Sequence, residues 1–367
     1  MSSTSPTAEC GGPSGVVQDA FFLAHRSEVQ HLESPERLAA VYSLLQDRDW
    51  TGLVPVAARP ARPEDLRLVH SAEYVEYVAA TARHPFSQLS GDTYACAETF
   101  AVASLSAGAV LAAVDAVDAG RVRNAFVLAR PPGHHAEAAR AGGFCIFNNV
   151  ALGARYARRV LGYRKVLIID WDLHHGNGIQ HIFEEDPSVL YISTHQYPLY
   201  PGTGHFLEVG RGRGEGFTIN IPLKGGWGDA DFAFLYEQVI SPVAESFEPD
   251  LVLVAAGFDI HLKDPVGKMK VTAAGFAALA RVIMQMAAAC CRERLVLVLE
   301  GGYHQVSTAE SVNAVIDELC ERTRIDVGQS IEGAEFRRIM PLLGRCREVF
   351  GPFWPCLARL GTPGRGG

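Results

Sequence analysis

The chain has 367 residues, of which 48% are hydrophobic and 20% are charged, and its formal net charge is −8 at pH 7. These values are typical of a soluble globular protein that can bury a sizeable core. They give no sign of a domain-scale basic face, and we therefore expect no direct nucleic-acid binding.

The sequence also bears on targeting and redox compartment. Residues 1–15 are mostly small and polar and predict a disordered leader, without the apolar centre of a signal peptide. The longest uncharged helical stretch, Thr99 to Val114, is shorter than the ~20 residues that span a bilayer. The eight cysteines form no CxxC pair, which indicates reduced thiols. We therefore expect a cytoplasmic protein with no membrane partner.

The predicted elements begin with a strand and loop at 16–25. A helix is expected to start at Pro35, with Ser34 as its N-cap, and helical patterns follow at 63–82 and 95–119. From about residue 124, apolar strands alternate with helices. We predict strands at 124–130, 166–170, 189–194, 217–223, 251–256 and 295–299. We predict helices at 148–161, 178–184, 230–247 and 272–291, and a loop at 198–216.

Such alternation predicts an α/β fold with a mostly parallel sheet and helices on both faces. No internal repeat or linker is visible, so we expect residues 16–367 to form one domain, with two helices and a Gly/Pro tail after residue 320.

Polar or titratable side chains follow four of the predicted strands. They are His134 and His135; Asp172, His174 and Asn177; Asp259; and Tyr303 after Gly301-Gly302. Ligands of open parallel sheets bind beyond the carboxyl ends of the strands. We therefore predict one composite site rather than four unrelated polar loops.

The densest group follows the apolar run 166–169. If the chain stays extended there, Asp170, Asp172 and His174 project to one side. Together with Asp259, Asp172 and His174 make a three-ligand metal set that leaves one position for water, as in catalytic zinc sites. Oxygen and nitrogen donors fit zinc but do not exclude ferrous iron or manganese. The alternative is that these residues only cap a helix.

The remaining polar residues suit proton transfer. His134 and His135 follow Pro131-Pro132-Gly133, which allows an abrupt turn, and histidine serves as base and acid near neutral pH. Tyr303 would donate a hydrogen bond to an oxyanion. The alternative for Tyr303 is a half-buried tyrosine at a strand end.

Seven motifs, in this order, resemble those of zinc-dependent histone deacetylases, closest to the class II branch and the bacterial histone deacetylase-like amidohydrolases. The motifs are Arg130-Pro131-Pro132-Gly133-His134-His135, Gly143-Phe144-Cys145-Ile146-Phe147-Asn148-Asn149, Asp170-Trp171-Asp172-Leu173-His174-His175-Gly176-Asn177-Gly178, Tyr200-Pro201-Gly202-Thr203-Gly204, Ala256-Gly257-Phe258-Asp259, Asp264-Pro265-Val266-Gly267 and Glu300-Gly301-Gly302-Tyr303. The resemblance runs from about residue 16 to residue 310.

The resemblance implies an arginase/deacetylase-like domain with an eight-stranded, mostly parallel sheet. It implies hydrolysis of N-acetyl-lysine, or a similar acylated amine, by metal-activated water. The zinc ligands would be Asp172, His174 and Asp259. The catalytic residues would be His135 as base and then acid, His134 as its electrostatic partner oriented by Asp170, Tyr303 as the oxyanion donor, and Asn177 as the neutral partner of His135 where one branch of the family has Asp.

The resemblance also implies a substrate tunnel and structural cations. The tunnel would have Phe144 and Tyr200 as its walls, with Gly143 beside Phe144, Val266 near the rim, and Asp92 as a loosely aligned rim residue that grips the substrate backbone. Arg37 matches a family arginine near an internal acetate exit. K⁺ or Na⁺ would be held by Asp170, Ser193 and backbone carbonyls of Asp172, His174 and Thr194, with a second site near Phe183 and Val189.

Several alternatives remain open at this point. Val266 is neither large nor acidic, which favours acyl-lysine over cationic polyamines, but an acetylpolyamine or other small-molecule amide hydrolase would use the same site. An arginase-type dimanganese enzyme would need carboxylates that the sequence does not supply. A non-catalytic acyl-lysine binder and a homo-oligomer are also compatible with the sequence. His304 follows Tyr303 where asparagine is commoner, and the sequence gives no account of it.

Overall fold

The computed structural model describes residues 12–46 and 48–360. Its strands are β1 (Ser14–Val17), β2 (Leu53–Pro55), β3 (Phe86–Gln88), β4 (Tyr94–Cys96), β5 (Asn124–Val127), β6 (Val166–Asp170), β7 (Val189–Gln196), β8 (Thr218–Leu223), β9 (Leu251–Ala256) and β10 (Leu295–Leu299). Eight of them form one sheet in the order β2-β1-β5-β10-β9-β6-β7-β8, and every neighbouring pair in it is parallel. Strands β3 and β4 form a separate antiparallel hairpin.

Helices flank this sheet. They are α1 (Pro35–Gln46), α2 (Pro63–Leu66), α3 (Ala72–Ala80), α4 (Thr99–Asp118), α5 (Asn149–Arg159), α6 (Asn177–Phe183), α7 (Asp229–Leu235), α8 (Ser241–Phe247), α9 (Ala273–Cys291), α10 (Gln305–Leu319), α11 (Val327–Ser330) and α12 (Phe336–Phe350). A π-helical turn, Tyr236–Ile240, joins α7 to α8, so the helix predicted at 230–247 is one continuous but irregular element.

The central strands are apolar on both faces because helices cover both. All residues of β6, β9 and β10 are buried, as expected for parallel strands inside an α/β fold. Two helices, α4 and α9, are long and apolar enough to cross a membrane, but 83% and 67% of their most apolar windows are buried within the fold. This burial is typical of core helices.

The predicted fold class is confirmed: one α/β domain with an eight-stranded parallel sheet between helices. Three elements were not predicted, namely β2, the β3–β4 hairpin and α10. The predicted leader 1–15 lies outside the described residues up to residue 11, whereas Ser14 and Gly15 already belong to β1.

The register places four strand ends at one edge. Asp170 of β6 pairs with Ala255 of β9, Leu299 of β10 pairs with Ala256 of β9, and Val127 of β5 pairs with Val298 of β10. Since all these strands are parallel, the loops that follow them leave from the same edge. The residues predicted to form the composite site are therefore neighbours in space.

Candidate active site

The three predicted metal ligands converge beyond β6 and β9. One ligand atom from each of Asp172, His174 and Asp259 lies within 4.8 Å of the other two. His174 Nδ1 is 3.2 Å from Asp172 Oδ1 and 3.1 Å from Asp259 Oδ2. Both carboxylates are fully buried, and His174 is partly buried. An Asp-His-Asp set of this kind can hold a divalent cation and leave a coordination position open.

Asp170 does not join this cluster, because the extended chain on which the one-sided arrangement with Asp172 and His174 depended does not continue. Strand β6 ends at Asp170, and residues 171–176 are not extended as a strand. Asp170 Oδ2 instead lies 3.2 Å from His134 Nδ1 and accepts the Tyr191 hydroxyl at 3.0 Å. The helix-capping alternative fails as well, because the N-cap of α6 is Gly176, which has no side chain to cap with.

Glycine backbone encloses the two carboxylates. A Cβ added to Gly257 would lie 2.0 Å from Asp172 Oδ2, and one added to Gly301 would lie 2.4 Å from Asp259 Oδ2. The Gly301 N–H donates to Asp172 Oδ2 at 2.9 Å. Any side chain at either glycine would therefore displace a predicted metal ligand.

The electrostatics of the pair favour a cation between them. Burial, and then the neighbouring Asp172 carboxylate, raise the pKa of Asp259 to about 7. Two buried acids this close repel each other when both are ionised, and a bound cation relieves that repulsion. The donor set, its burial and its glycine cradle all fit a divalent metal.

The histidine pair lies beside this cluster in two different environments. The rings of His134 and His135 have centroids 4.0 Å apart. Burial opposes protonation of His134, but the carboxylates of Asp172 and Asp170 raise its pKa to about 10. Burial, and then the positive charges of His134 and His174, hold the pKa of His135 well below its usual value. His134 is therefore suited to carry a charge, and His135 is suited to act as a base.

A hydrogen-bond chain fixes the tautomer of His135. Asn177 Nδ2 donates to Glu137 Oε1 at 2.9 Å, which leaves Asn177 Oδ1 to accept from His135 Nδ1 at 2.8 Å. Since Nδ1 then carries the proton, Nε2 has the free lone pair. The sequence did not single out Glu137, which is distant from Asn177 in the chain and shows no local signal.

One predicted tunnel wall, Tyr200, contacts His135, and the other, Phe144, contacts Tyr303. The Tyr200 ring lies edge-on to His135 at 5.0 Å, and the Phe144 ring lies 6.0 Å from Tyr303. A Cβ on Gly143, where φ is +56°, would lie 2.2 Å from the His135 ring. Phe144 itself has φ of 68°, a strained conformation for a bulky residue.

The β3–β4 hairpin holds this strained segment. Thr93 Oγ1 accepts the Phe144 N–H at 3.0 Å, and Asp92 Oδ1 accepts the Gly143 N–H at 3.1 Å. Asp92 Oδ1 also accepts the Thr93 hydroxyl at 2.9 Å. Asp92, predicted to grip the substrate backbone, thus lies beside the tunnel and also supports its wall.

Tyr303 lies in the segment that follows β10, with its ring near Phe144. Its backbone N–H donates to Asp264 Oδ2 at 2.7 Å, and the Arg37 guanidinium lies 4.7 Å from its ring centroid. Burial raises the pKa of its phenol well above the usual value, so the hydroxyl stays protonated and can donate. Val266, predicted at the rim, follows Asp264 in the same loop and is partly buried.

The predicted monovalent-cation residues are placed in two regions. Asp170 and Ser193 are paired across neighbouring strands, and Thr194 follows Ser193 with its hydroxyl 3.0 Å from Tyr236. Phe183 ends α6 and Val189 begins β7. Nothing in the geometry tests whether either region holds an ion, so both sites stay predictions.

Two further residues acquire roles that sequence reasoning did not assign. His304 is the N-cap of α10, and its Nδ1 accepts the Ser307 N–H at 3.2 Å. Glu300 is buried and its Oε2 accepts two backbone N–H groups, those of Gly133 and His134. The signal for His304, a possible cap before a helical pattern, was available in the sequence, whereas the long-range contact of Glu300 was not.

Comparisons with known proteins agree with this geometry. Residues 31–319 match the model of the histone deacetylase domain. The chain is 39% identical over 337 residues to histone deacetylase 15 of Arabidopsis thaliana, covering 89% of this chain and 59% of that protein. It is 44% identical to polyamine deacetylase HDAC10 of Homo sapiens, covering 78% and 44% respectively. It is 37% identical to the chloroplastic histone deacetylase 14 of Arabidopsis thaliana, covering 89% and 82%.

A solved structure shows the same fold. The crystal structure of the HDA15 HD domain matches with a TM-score of 0.87 and 38% identity, covering 95% of this chain and 96% of that one. The chain spans 59% and 44% of the lengths of the first two relatives.

Proposed function

Because this chain belongs to the histone deacetylase family, we propose that it hydrolyses the amide of N-acetyl-lysine side chains with the help of a zinc ion. The observation that carries the proposal is the convergence of Asp172, His174 and Asp259 next to a histidine whose Nε2 is free to accept a proton. Metal ligands, a base and a phenol donor are the parts that metal-assisted amide hydrolysis requires.

Asp172, His174 and Asp259 would hold the zinc. When bound, the metal supplies Lewis acidity and makes a water molecule acidic enough to react near neutral pH. His135 Nε2 takes the proton of the attacking water and later gives it to the leaving amine, while Asn177 keeps Nδ1 protonated throughout. His134 stays charged between its carboxylate neighbours and adds positive potential next to the developing negative charge.

Tyr303 would complete the reaction site by donating its hydroxyl to the oxyanion that forms from the acetyl carbonyl. Phe144 and Tyr200 would line the path of the lysine stem, because their aromatic faces suit a four-carbon chain and exclude water.

The experiment combines metal analysis of purified protein with rates on three substrates, namely an acetyl-lysine peptide, trifluoroacetyl-lysine and acetylputrescine. We expect about one divalent metal per chain and hydrolysis of the peptide. Tyr303→Phe should lower kcat by ~10²–10³-fold, the usual cost of losing one oxyanion donor. A wild-type protein without metal and inactive on all three substrates would refute the proposal and favour a non-catalytic acyl-lysine binder.

A second candidate is hydrolysis of acetylpolyamines. The 44% identity to a polyamine deacetylase favours it, whereas the apolar Val266 near the rim offers no negative charge to a cationic substrate. The ratio of kcat/KM on acetylputrescine to that on the acetyl-lysine peptide decides between the two.

We also propose that K⁺ or Na⁺ stabilises the segment behind the metal ligands, through Asp170, Ser193 and neighbouring carbonyls. The support is the pairing of Asp170 with Ser193 at the ends of β6 and β7. A higher Tm in KCl or NaCl than in choline chloride of equal ionic strength would bear this out, and equal Tm values would contradict it.

A further inference from the structure

Glu300 is a buried acid to which the mechanism above gives no task. It follows β10 directly and is 1% exposed. Its Oε2 accepts the N–H of Gly133 at 2.6 Å and the N–H of His134 at 3.1 Å. Two consecutive backbone N–H groups that point at one carboxylate oxygen form a compact anion-binding nest. The hydrogen bonds of the carboxylate therefore go to the backbone of the histidine pair, while the side chains of His134 and Cys145 each have an atom within 4.8 Å of it.

The other carboxylate oxygen of Glu300, Oε1, contributes little to the stability of the fold. Oε1 is buried and has no hydrogen-bond partner among the described residues. Burial raises the pKa of this carboxyl to about 7. A buried acid with one unpaired oxygen is a poor way to stabilise a domain, and such groups concentrate at functional sites.

The backbone around Glu300 is held just as firmly. The Arg37 guanidinium donates to the carbonyls of Glu300 and Gly302, and the Gly301 N–H donates to Asp172. Tyr303 comes next in the chain. The Glu300 side chain thus ties the segment that carries Tyr303 to the segment that carries His134 and His135.

On the nest side there is little room for the backbone to take up another position. A Cβ on Gly133 would lie 2.5 Å from the Asn149 nitrogen and 2.8 Å from the Phe147 carbonyl oxygen. With Glu300 on one side and this packing on the other, the turn before His135 has a single arrangement. Without Glu300, two buried N–H groups would lose their acceptor and the turn would have reason to shift.

We propose that Glu300 is a positioning residue that holds the His134–His135 backbone and so sets the location of the general base relative to Tyr303. This inference rests on the proposed function for its kinetic consequence. Its structural part, the anchoring of His135, does not depend on catalysis.

The variants are Glu300→Ala, Glu300→Gln and, as a matched control, Glu318→Ala. The amide oxygen of Gln can accept both N–H groups, so Glu300→Gln should recover most of what Glu300→Ala loses. Glu318 is equally buried and likewise accepts a backbone N–H, that of Ile325 at 3.1 Å, but it lies in α10, away from the histidine pair. It also forms an ion pair with Arg281 and accepts the Thr323 hydroxyl, so its loss tests the effect of lost stability alone.

We expect kcat on the acetyl-lysine peptide to fall about 100-fold in Glu300→Ala, the order of loss that a misplaced catalytic group causes. KM and metal content should stay at their wild-type values. Glu318→Ala should lower Tm while leaving kcat unchanged. Wild-type kcat in Glu300→Ala, or a loss that Glu300→Gln does not recover, would overturn the proposal.

A second measurement does not need activity. In ¹⁵N-histidine-labelled protein, the Nδ1–H resonance of His135 reports its 2.8 Å hydrogen bond to Asn177. We expect this resonance to shift or broaden in Glu300→Ala and to return in Glu300→Gln. An unchanged resonance in Glu300→Ala would overturn the proposal even if the wild-type protein proved inactive, an outcome that would refute the proposed function separately.

Discussion

The partner of His135 offers a sharp test of the proposed base. Replacing the neutral Asn177 by Asp would place a negative charge 2.8 Å from Nδ1. However, Asn177 Nδ2 also donates to Glu137 Oε1 at 2.9 Å, so Asn177→Asp alone would bring two carboxylates into contact. Such a pair holds a proton between its members and the added charge is partly lost. In the double variant Asn177→Asp/Glu137→Gln, the amide at position 137 can donate a hydrogen bond to the new carboxylate at position 177. The two residues together keep their net charge of −1.

The size of the effect follows from this geometry. In wild-type protein the carboxylate charge is on Glu137, one amide away from His135, and in the double variant it is in contact with the ring. An opposite charge at this distance raises a pKa by about 1–3 units. A base must be neutral to act, so a higher pKa of His135 moves the acidic limb of kcat/KM to higher pH. We expect a shift of about 1–2 pH units in the double variant, and a smaller one in Asn177→Asp.

The assay is kcat/KM on an acetyl-lysine peptide across the pH range in which metal content stays constant. Glu137→Gln alone is the control. It removes a negative charge that is more distant from His135 and that also pairs with Arg140 and His181, so its limb should stay or move slightly to lower pH. If the double variant binds metal normally and its acidic limb coincides with that of the wild type, then His135 is not the group that the limb reports. The assignment of the base would then be wrong.

Two further predictions concern the supports of the site. Thr93→Val removes the oxygen that accepts the Phe144 N–H at 3.0 Å, so the strained conformation of Phe144, with φ of 68°, becomes less populated. KM for the acetyl-lysine peptide should therefore rise about tenfold with kcat less affected, and Thr93→Ser should restore the wild-type KM. Glu33→Gln leaves Arg130 and Arg37 buried without their carboxylate, so the free energy of unfolding at pH 7 should fall by about 3–5 kcal/mol. Burial opposes ionisation of Glu33, but Arg130 and Arg37 lower its pKa to about 2. The stability that the Glu33 carboxylate contributes is therefore present above pH ~4.5 and is lost as the pH falls toward 2. In denaturant titrations, the difference in free energy of unfolding between wild type and Glu33→Gln should shrink over that range, and a constant difference would contradict the argument.

The sheet and the ligand cluster were predictable because each left a local pattern. Val166 to Ile169 form an unbroken apolar run, and all four are fully buried between helix layers. Strands of this kind can only be parallel neighbours in an α/β fold, which brings the residues after their ends to one edge. This argument sufficed to group His135, Asp172, His174, Asp259 and Tyr303.

The elements that were missed are short or depend on distant partners. Strand β2 has three residues and ends at Pro55, and it forms because β1 offers it an edge. The β3–β4 hairpin has two strands of three residues each, too short for a period to be recognised. Its importance lies in Asp92 and Thr93, whose partners are about 50 residues away. No local pattern contains that information.

The expectation that Asp170 projects to the same side as Asp172 and His174 failed for a physical reason. The same reason separates the metal ligands at this site from the residues that position other side chains. An alternating pattern assumes that the ladder continues, but β6 ends at Asp170, and the turn that follows directs Asp172 and His174 to the metal cluster and Asp170 to His134. Asp170 thus positions the His134 side chain and is not one of the predicted metal ligands. The end of β6 at Asp170 was predicted, but the conformation of residues 171–176 was not, because it is set by contacts with residues distant in the chain.

Arg130 and Glu300, each the first residue of a catalytic motif, also position other residues and take no direct part in the proposed chemistry. Arg130 begins the segment that leads to the histidine pair, and its Nε and Nη2 both bind the Glu33 carboxylate, at 2.6 Å and 2.7 Å. Glu300 binds the same segment at Gly133 and His134. The segment is therefore anchored near each end by hydrogen bonds of a buried ionisable side chain, Arg130 at one end and Glu300 at the other. A charged residue in a catalytic motif is therefore not necessarily a catalytic residue. Arg130 and Glu300 contact backbone or other charged groups, whereas His134 and His135 face the metal cluster.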